Sequence, residues 1–241
     1  MKVGTLRQIL LITDGCSNRG ESPVKSAERA FEAGIVVNVI GVVHPGEEND
    51  SSLTEINDIA EAGGGISQIV YEEDLSQTVQ AVTVQAMSQT IQGVINKELT
   101  QIFGEQKAIE DVDPEHRGEV IELVEELGEK ADLEVLILVD TSASMHSKLN
   151  AVKEALIDLS YNLQSRAGIN EFAIYQYPDK HEGIAVVCDW TQELDSISVI
   201  FPKLKTGGIT PTGPAIQEAV YEFSKKQMRR KRNHEYFAEE G

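Results

Sequence analysis

Asp140, Ser142 and Ser144, in the run Val139-Asp140-Thr141-Ser142-Ala143-Ser144-Met145, set one carboxylate and two hydroxyls at alternate positions. They follow Leu133-Glu134-Val135-Leu136-Ile137-Leu138-Val139, an apolar run that reads as a buried parallel strand. Oxygen donors just past the C-terminal end of such a strand face the crevice in which open α/β sheets bind ligands. Carboxylate and hydroxyl oxygens are hard donors, suited to Mg²⁺ or Mn²⁺ and not to a soft metal. Alone, this spacing is unspecific. A second segment, Gly207-Gly208-Ile209-Thr210-Pro211-Thr212-Gly213-Pro214-Ala215-Ile216, adds another hydroxyl at Thr210. Its paired glycines let backbone approach closely, and Thr212 with Pro214 reads as the start of a helix. A third, Ile9-Leu10-Leu11-Ile12-Thr13-Asp14-Gly15, is another apolar strand ending in a carboxylate.

The elements that must position these residues alternate between strand and helix. Strands are predicted at 8–13, 35–43 and 66–71, with helices at about 23–33 and 53–62 and a long helix from about Leu75. A strand at 133–139 follows, then a helix at 148–166, a strand pair at 171–177 and 184–189, and a helix from Gly213. Such alternation predicts an α/β fold, a doubly wound and mainly parallel sheet flanked by helices.

The three oxygen-bearing segments resemble the metal-ion-dependent adhesion site of the von Willebrand factor A family, which combines D-x-S-x-S, a threonine in G-G-x-T-x-T-G, and T-D-G. In the family T-D-G comes last, whereas here it opens the chain. The resemblance therefore implies a circularly permuted, Rossmann-like domain spanning 1–241. Residues 5–103 supply the second half of the fold (strands four to six) and 133–233 the first half (strands one to three). Residues 104–132 form a connector and 234–241 a tail. The family's sheet order, 3-2-1-4-5-6, puts strand six about 15 Å from strand one, a gap that a partly helical connection covers. Closure within one chain and exchange of halves between two chains both satisfy this pattern, so a monomer and a half-exchanged dimer are both expected forms. The resemblance also implies function. Asp140, Ser142, Ser144, Thr210 and Asp14 would hold one Mg²⁺ or Mn²⁺, whose outward position takes an Asp or Glu carboxylate from a partner protein. The opening 15 residues and the Gly207 loop further resemble a family member of spore-forming bacteria, which implies a cytoplasmic, sporulation-linked role.

Composition narrows the alternatives. The 241 residues carry 40 acidic and 21 basic side chains, a net charge of -19. That balance argues against nucleic acid and anionic membrane as partners and raises the local cation concentration. Cys16 and Cys188 provide no disulfide framework, and no segment reads as a signal peptide or a membrane span, so a reducing cytoplasm is expected. Cys16 reads as a small packed residue. The five histidines lack metal-ligand spacing, and His146 reads as an exposed loop residue.

No nucleotide-binding glycine loop, zinc-protease helix or nucleophile elbow is present, so no enzyme activity is expected. The alternatives are a metal-dependent phosphatase or phosphotransfer enzyme using Asp140, and a structural assembly factor formed by exchanged halves. Two segments lie apart from the motifs. Residues 114–130 read as an amphipathic connector helix capped by Asp113, with Val120, Leu123, Val124 and Leu127 on its apolar stripe. The basic run Lys225-Lys226-Gln227-Met228-Arg229-Arg230-Lys231-Arg232 reads as a solvated helix end, its cations offsetting the helix dipole. Docking of an acidic partner, or non-specific contact with nucleic acid, is the other reading of that run.

Overall fold

A computed structural model describes residues 4–44, 46, 49–103, 114–179, 183–193 and 207–239. The first half contains β1 (Leu6–Thr13), α1 (Pro23–Glu32), β2 (Val36–Val42), α2 (Asp50–Ala62), β3 (Gly64–Val70) and α3 (Leu75–Phe103). After α4 (Pro114–Lys130) come β4 (Leu133–Asp140), α5 (Leu149–Leu163), β5 (Asn170–Tyr177), β6 (Ala185–Thr191) and α6 (Thr212–Glu239). The six strands form one sheet in the order β3-β2-β1-β4-β5-β6, parallel throughout except for the antiparallel β5–β6 pair.

The central contact is between β1 and β4, which run parallel in unbroken register from Leu6 opposite Leu133 to Ile12 opposite Val139. Every residue of β4 is buried, which explains why its sequence is an apolar run and not an alternation. Leu133, Val135, Ile137 and Val139 face a core shared with Val79 and Val82 of α3 and Val152 and Leu156 of α5. Leu136 and Leu138 face the opposite core, with Ala27 of α1, Ile59 of α2 and Ile216 and Phe223 of α6. Two helical layers thus cover both faces, and both parallel strands end at the same edge.

Glu134 is the exception within β4. It is only 2% exposed, on the α6 side, and three cations meet it: Arg7 of β1 at 3.3 Å, and Lys226 at 3.3 Å and Arg230 at 2.6 Å from α6. Lys226 also lies 3.1 Å from Glu171 and 3.6 Å from the centre of the Trp190 ring. The basic run is therefore divided. Lys226 turns inward and the exposed Arg230 reaches in to the buried Glu134 carboxylate, while Arg229, Lys231 and Arg232 stay exposed, so the run is not simply a solvated helix end.

Other boundaries also differ from the sequence expectation. Helix α2 starts three residues earlier, at Asp50, because Asn49 caps it by accepting the Ser51 N–H at 3.1 Å. On α4, Val124 is buried but Leu123 is 45% exposed, so the inward stripe is narrower than its apolar residues suggest. Helix α6 continues through the expected tail to Glu239. Asp113 and connector residues 104–113 lie outside the described residues.

Candidate metal-ion site

Asp140 is the last residue of β4 and Thr13 the last of β1, so the sheet register delivers them side by side. Oδ2 of Asp140 accepts the Thr13 hydroxyl at 2.7 Å, and Oδ1 accepts the Ser142 backbone N–H at 2.7 Å. Beyond Asp140 the chain is pinned to β5, where Thr141 donates its backbone N–H and its hydroxyl to the Tyr177 carbonyl at 2.7 and 3.0 Å. A short 3-10 turn, Ala143–Ser147, then folds over buried Met145, which anchors the loop. The turn sets the Ser142 and Ser144 hydroxyls 3.2 Å apart. Ser144 donates to Oδ1 of Asp14 at 2.8 Å, linking loops that are 130 positions apart in sequence.

The Gly207 loop closes a third side. Gly207 donates to the Thr141 carbonyl at 2.9 Å and pairs with Ser142 as an isolated parallel bridge. Thr210 is buried and joins the loop after β1 through its backbone. Its N–H is donated to the Asn18 side chain at 2.9 Å, and its carbonyl accepts the Asn18 N–H at 3.1 Å and the Ser17 hydroxyl at 3.2 Å. Gly213 lets α6 begin against the β1–α1 segment, since a Cβ there would stand 2.0 Å from the Glu21 carbonyl oxygen. Glu55 of α2 accepts the Ser17 N–H at 2.6 Å and braces the same loop.

Asp140, Ser142, Ser144 and Asp14 thus form a continuous chain of contacts, whereas the contacts of Thr210 run through its backbone to Ser17 and Asn18 and not to these four. Sequence reasoning missed Thr13, Ser17, Asn18, Glu55 and above all Lys148. The Lys148 ammonium lies 2.6 Å from Oδ2 of Asp14, and both side chains are almost fully buried, 3% and 4% exposed. A basic residue at the N-terminal end of a helix, against the dipole of α5, is the signal that could have found it. His146 is exposed, as expected. Cys16 lies against Ser51 and Ser52, partly buried.

Burial pushes the Asp140 carboxyl up to about 6, against the hydrogen bonds from Thr13 and Ser142 that favour its charged form, with Asp14 adding repulsion. The Tyr177 hydroxyl, wholly buried near Asp140, is raised well above its ordinary value by burial first and by that carboxylate second. Among the described residues, no three His, Cys, Asp or Glu side chains are grouped to hold a metal. An ion here would rest on two carboxylates and the serine hydroxyls, a donor set that fits a hard divalent cation and not zinc-type soft coordination.

Residues 135–236 match the von Willebrand factor type A domain. The chain is 56% identical over 230 residues to the uncharacterized protein YabS of Bacillus subtilis (strain 168), a match covering 95% of this chain and 94% of that protein. It is also similar to the crystal structure of an uncharacterized protein from Alicyclobacillus acidocaldarius subsp. acidocaldarius DSM 446. That similarity has a TM-score of 0.86 at 40% identity, over 93% of this chain and 96% of the other.

Proposed function

The chain belongs to the von Willebrand factor type A family, and from that membership we propose that it is a metal-dependent protein-binding module. Domains of this family typically mediate protein–protein interaction. In this reading Asp140, Ser142, Ser144, Thr210 and Asp14 hold one Mg²⁺ or Mn²⁺. The bound ion supplies an outward-facing positive charge that attracts an Asp or Glu side chain of the partner. The chain's own residues do the rest. Thr13 and the Ser142 N–H orient Asp140, Met145 anchors the serine loop, and Asn18 and Ser17 hold the Thr210 loop. The observation that carries the reading is the 2.8 Å hydrogen bond from Ser144 to Asp14, which brings a donor from each half of the chain to one point.

The adjacency of β1 and β4 supports treating 5–103 and 133–233 as the two exchanged halves of one permuted domain. Among the described residues, no helix is long and apolar enough to cross a membrane. A cytoplasmic, sporulation-linked setting is part of the same proposal. The phosphotransfer alternative is weakened by Asp140 itself, which is fully buried with both carboxylate oxygens engaged and so is badly placed as a nucleophile.

Thermal melts with Mg²⁺, Mn²⁺ or chelator test the metal site. An ion that binds only the folded state adds about 2.7 kcal/mol at a hundredfold excess over its dissociation constant. Absence of any shift in folded, metal-stripped protein would reject the metal dependence. Turnover of a generic phosphate ester that is lost in Asp140→Ala would instead favour the enzyme.

A further inference from the structure

We propose that Lys148 is a built-in cation that competes with a divalent ion for Asp14, so that the protein's own ammonium occupies this carboxylate until an ion displaces it. The inference rests on the metal-site reading above and extends it to a residue that sets ion affinity.

Three observations carry it. First, Lys148 is 2% exposed, and an ammonium is buried only where a specific opposite charge compensates it. The compensating group is Asp14, at 2.6 Å. Second, Lys148 stands at the N-terminal end of α5, where the helix dipole disfavours a cation. Neither solvation nor the helix explains its position, which leaves the carboxylate. Third, both oxygens of Asp14 are committed, Oδ1 to the Ser144 hydroxyl and Oδ2 to Lys148. An ion drawing on Asp14 and Ser144 must rearrange these contacts.

Charge decides the direction. Ionised Asp140 and Asp14 together present two negative charges, and Lys148 cancels one of them. A divalent ion arriving with the lysine in place therefore meets only about half the net attraction, the like charge of the ammonium being what cancels the rest. The lysine stem is flexible and its ammonium has no fixed geometry, so the contact can open without moving the backbone. The opposite role would be a support in which Lys148 holds one Asp14 oxygen while the other binds the ion. The two roles predict opposite effects when the ammonium is removed.

The test is calorimetric titration of MnCl₂ and MgCl₂ into the metal-stripped full chain, comparing wild type with Lys148→Met and Lys148→Gln. Competition predicts that the neutral variants bind Mn²⁺ roughly tenfold or more tightly than wild type, because a unit charge a few ångströms from the ion is gone. It also predicts a lower melting temperature for the variants in chelator, with the gap closing at saturating Mn²⁺. Equal or weaker binding in a variant shown to be folded by circular dichroism overturns the proposal while leaving the metal site intact. Binding by the variants but not by wild type upholds the competition and removes metal dependence from the wild-type protein. Binding by neither overturns both. The glutamine variant retains a donor for Asp14, which provides a folded comparison if the methionine variant does not fold.

Discussion

Thr13 donates its hydroxyl to Oδ2 of Asp140 at 2.7 Å, tying the ends of β1 and β4 together across 127 positions of sequence. The bond exists because the two strands are parallel neighbours in register, so it reports on sheet assembly as well as on the site. Replacing Thr13 with Val keeps the β-branched shape and removes the donor. A buried carboxylate oxygen then loses a partner, at a cost of about 1–3 kcal/mol. Urea unfolding at neutral pH in chelator should show a lower midpoint with an unchanged slope. A midpoint equal to wild type would mean that the bond does not orient Asp140.

At the opposite end of β4, Glu134 is held by Arg7, Lys226 and Arg230. Burial lowers the pKa of Lys226, and the Glu134 charge acts against that shift. Glu134→Ala removes the buried counter-charge of these cations, although Lys226 and Arg230 keep Glu171, and should destabilise the fold by about 1.5–3 kcal/mol. The measurement is again denaturant unfolding. The Mn²⁺ affinity of the folded variant should stay at the wild-type value, since Glu134 and Asp140 lie at opposite ends of the strand.

Glu55 gives a pH dependence that does not involve the ion. Its carboxyl is raised above the ordinary glutamate value, first by burial and against the Ser17 N–H that it accepts. The folded state thus holds this proton more tightly than the unfolded chain. The resulting stabilisation is fully present below the unfolded pKa and is lost as pH rises through the raised folded value. At neutral pH the ionised, half-buried carboxylate works against folding. Glu55→Gln keeps an acceptor for Ser17 and removes the charge. Its stability relative to wild type should therefore increase from mildly acidic to neutral pH in paired urea titrations. A difference that stays flat with pH would contradict the assignment.

The central strands were legible because β1, β2 and β4 are covered on both faces, which leaves long apolar runs that end abruptly in polar loops, whereas their order in the sheet came from the family resemblance. Strand β3 was harder to bound. It is an edge strand with largely half-exposed residues, and it begins at Gly64, where the chain turns with φ at +61°. The nearness of Asp14 to Ser144 followed from the family resemblance and not from spacing, because residues so far apart carry no local signal of contact. The role of Glu134 was hidden for the same reason, since its partners come from residue 7 and residues 226 and 230. Lys148 was overlooked because a lysine beside a helix is ordinarily solvated by its flexible stem, and only three-dimensional packing turns this one inward.

The final prediction concerns Asp14 and Asp140 together. They leave the sheet on adjacent strands and are bridged by the Ser142 backbone N–H on Asp140, the Ser142–Ser144 hydroxyl contact and the Ser144 hydroxyl on Asp14. If both draw on one ion, each alanine variant should lose most of the Mn²⁺-induced rise in melting temperature, and the double variant should lose little more. Groups acting on a shared partner are coupled by about 0.5–3 kcal/mol, whereas distant independent sites add. In chelator the two should also differ. Asp14→Ala strands the buried Lys148 ammonium, whereas Asp140→Ala removes a carboxylate that burial already disfavours, so Asp14→Ala is the more destabilising of the two. The cycle is read from melts of all four proteins with and without Mn²⁺. Additive losses of the metal response would show that Asp14 and Asp140 do not serve the same ion, and the single-site reading would fall with them.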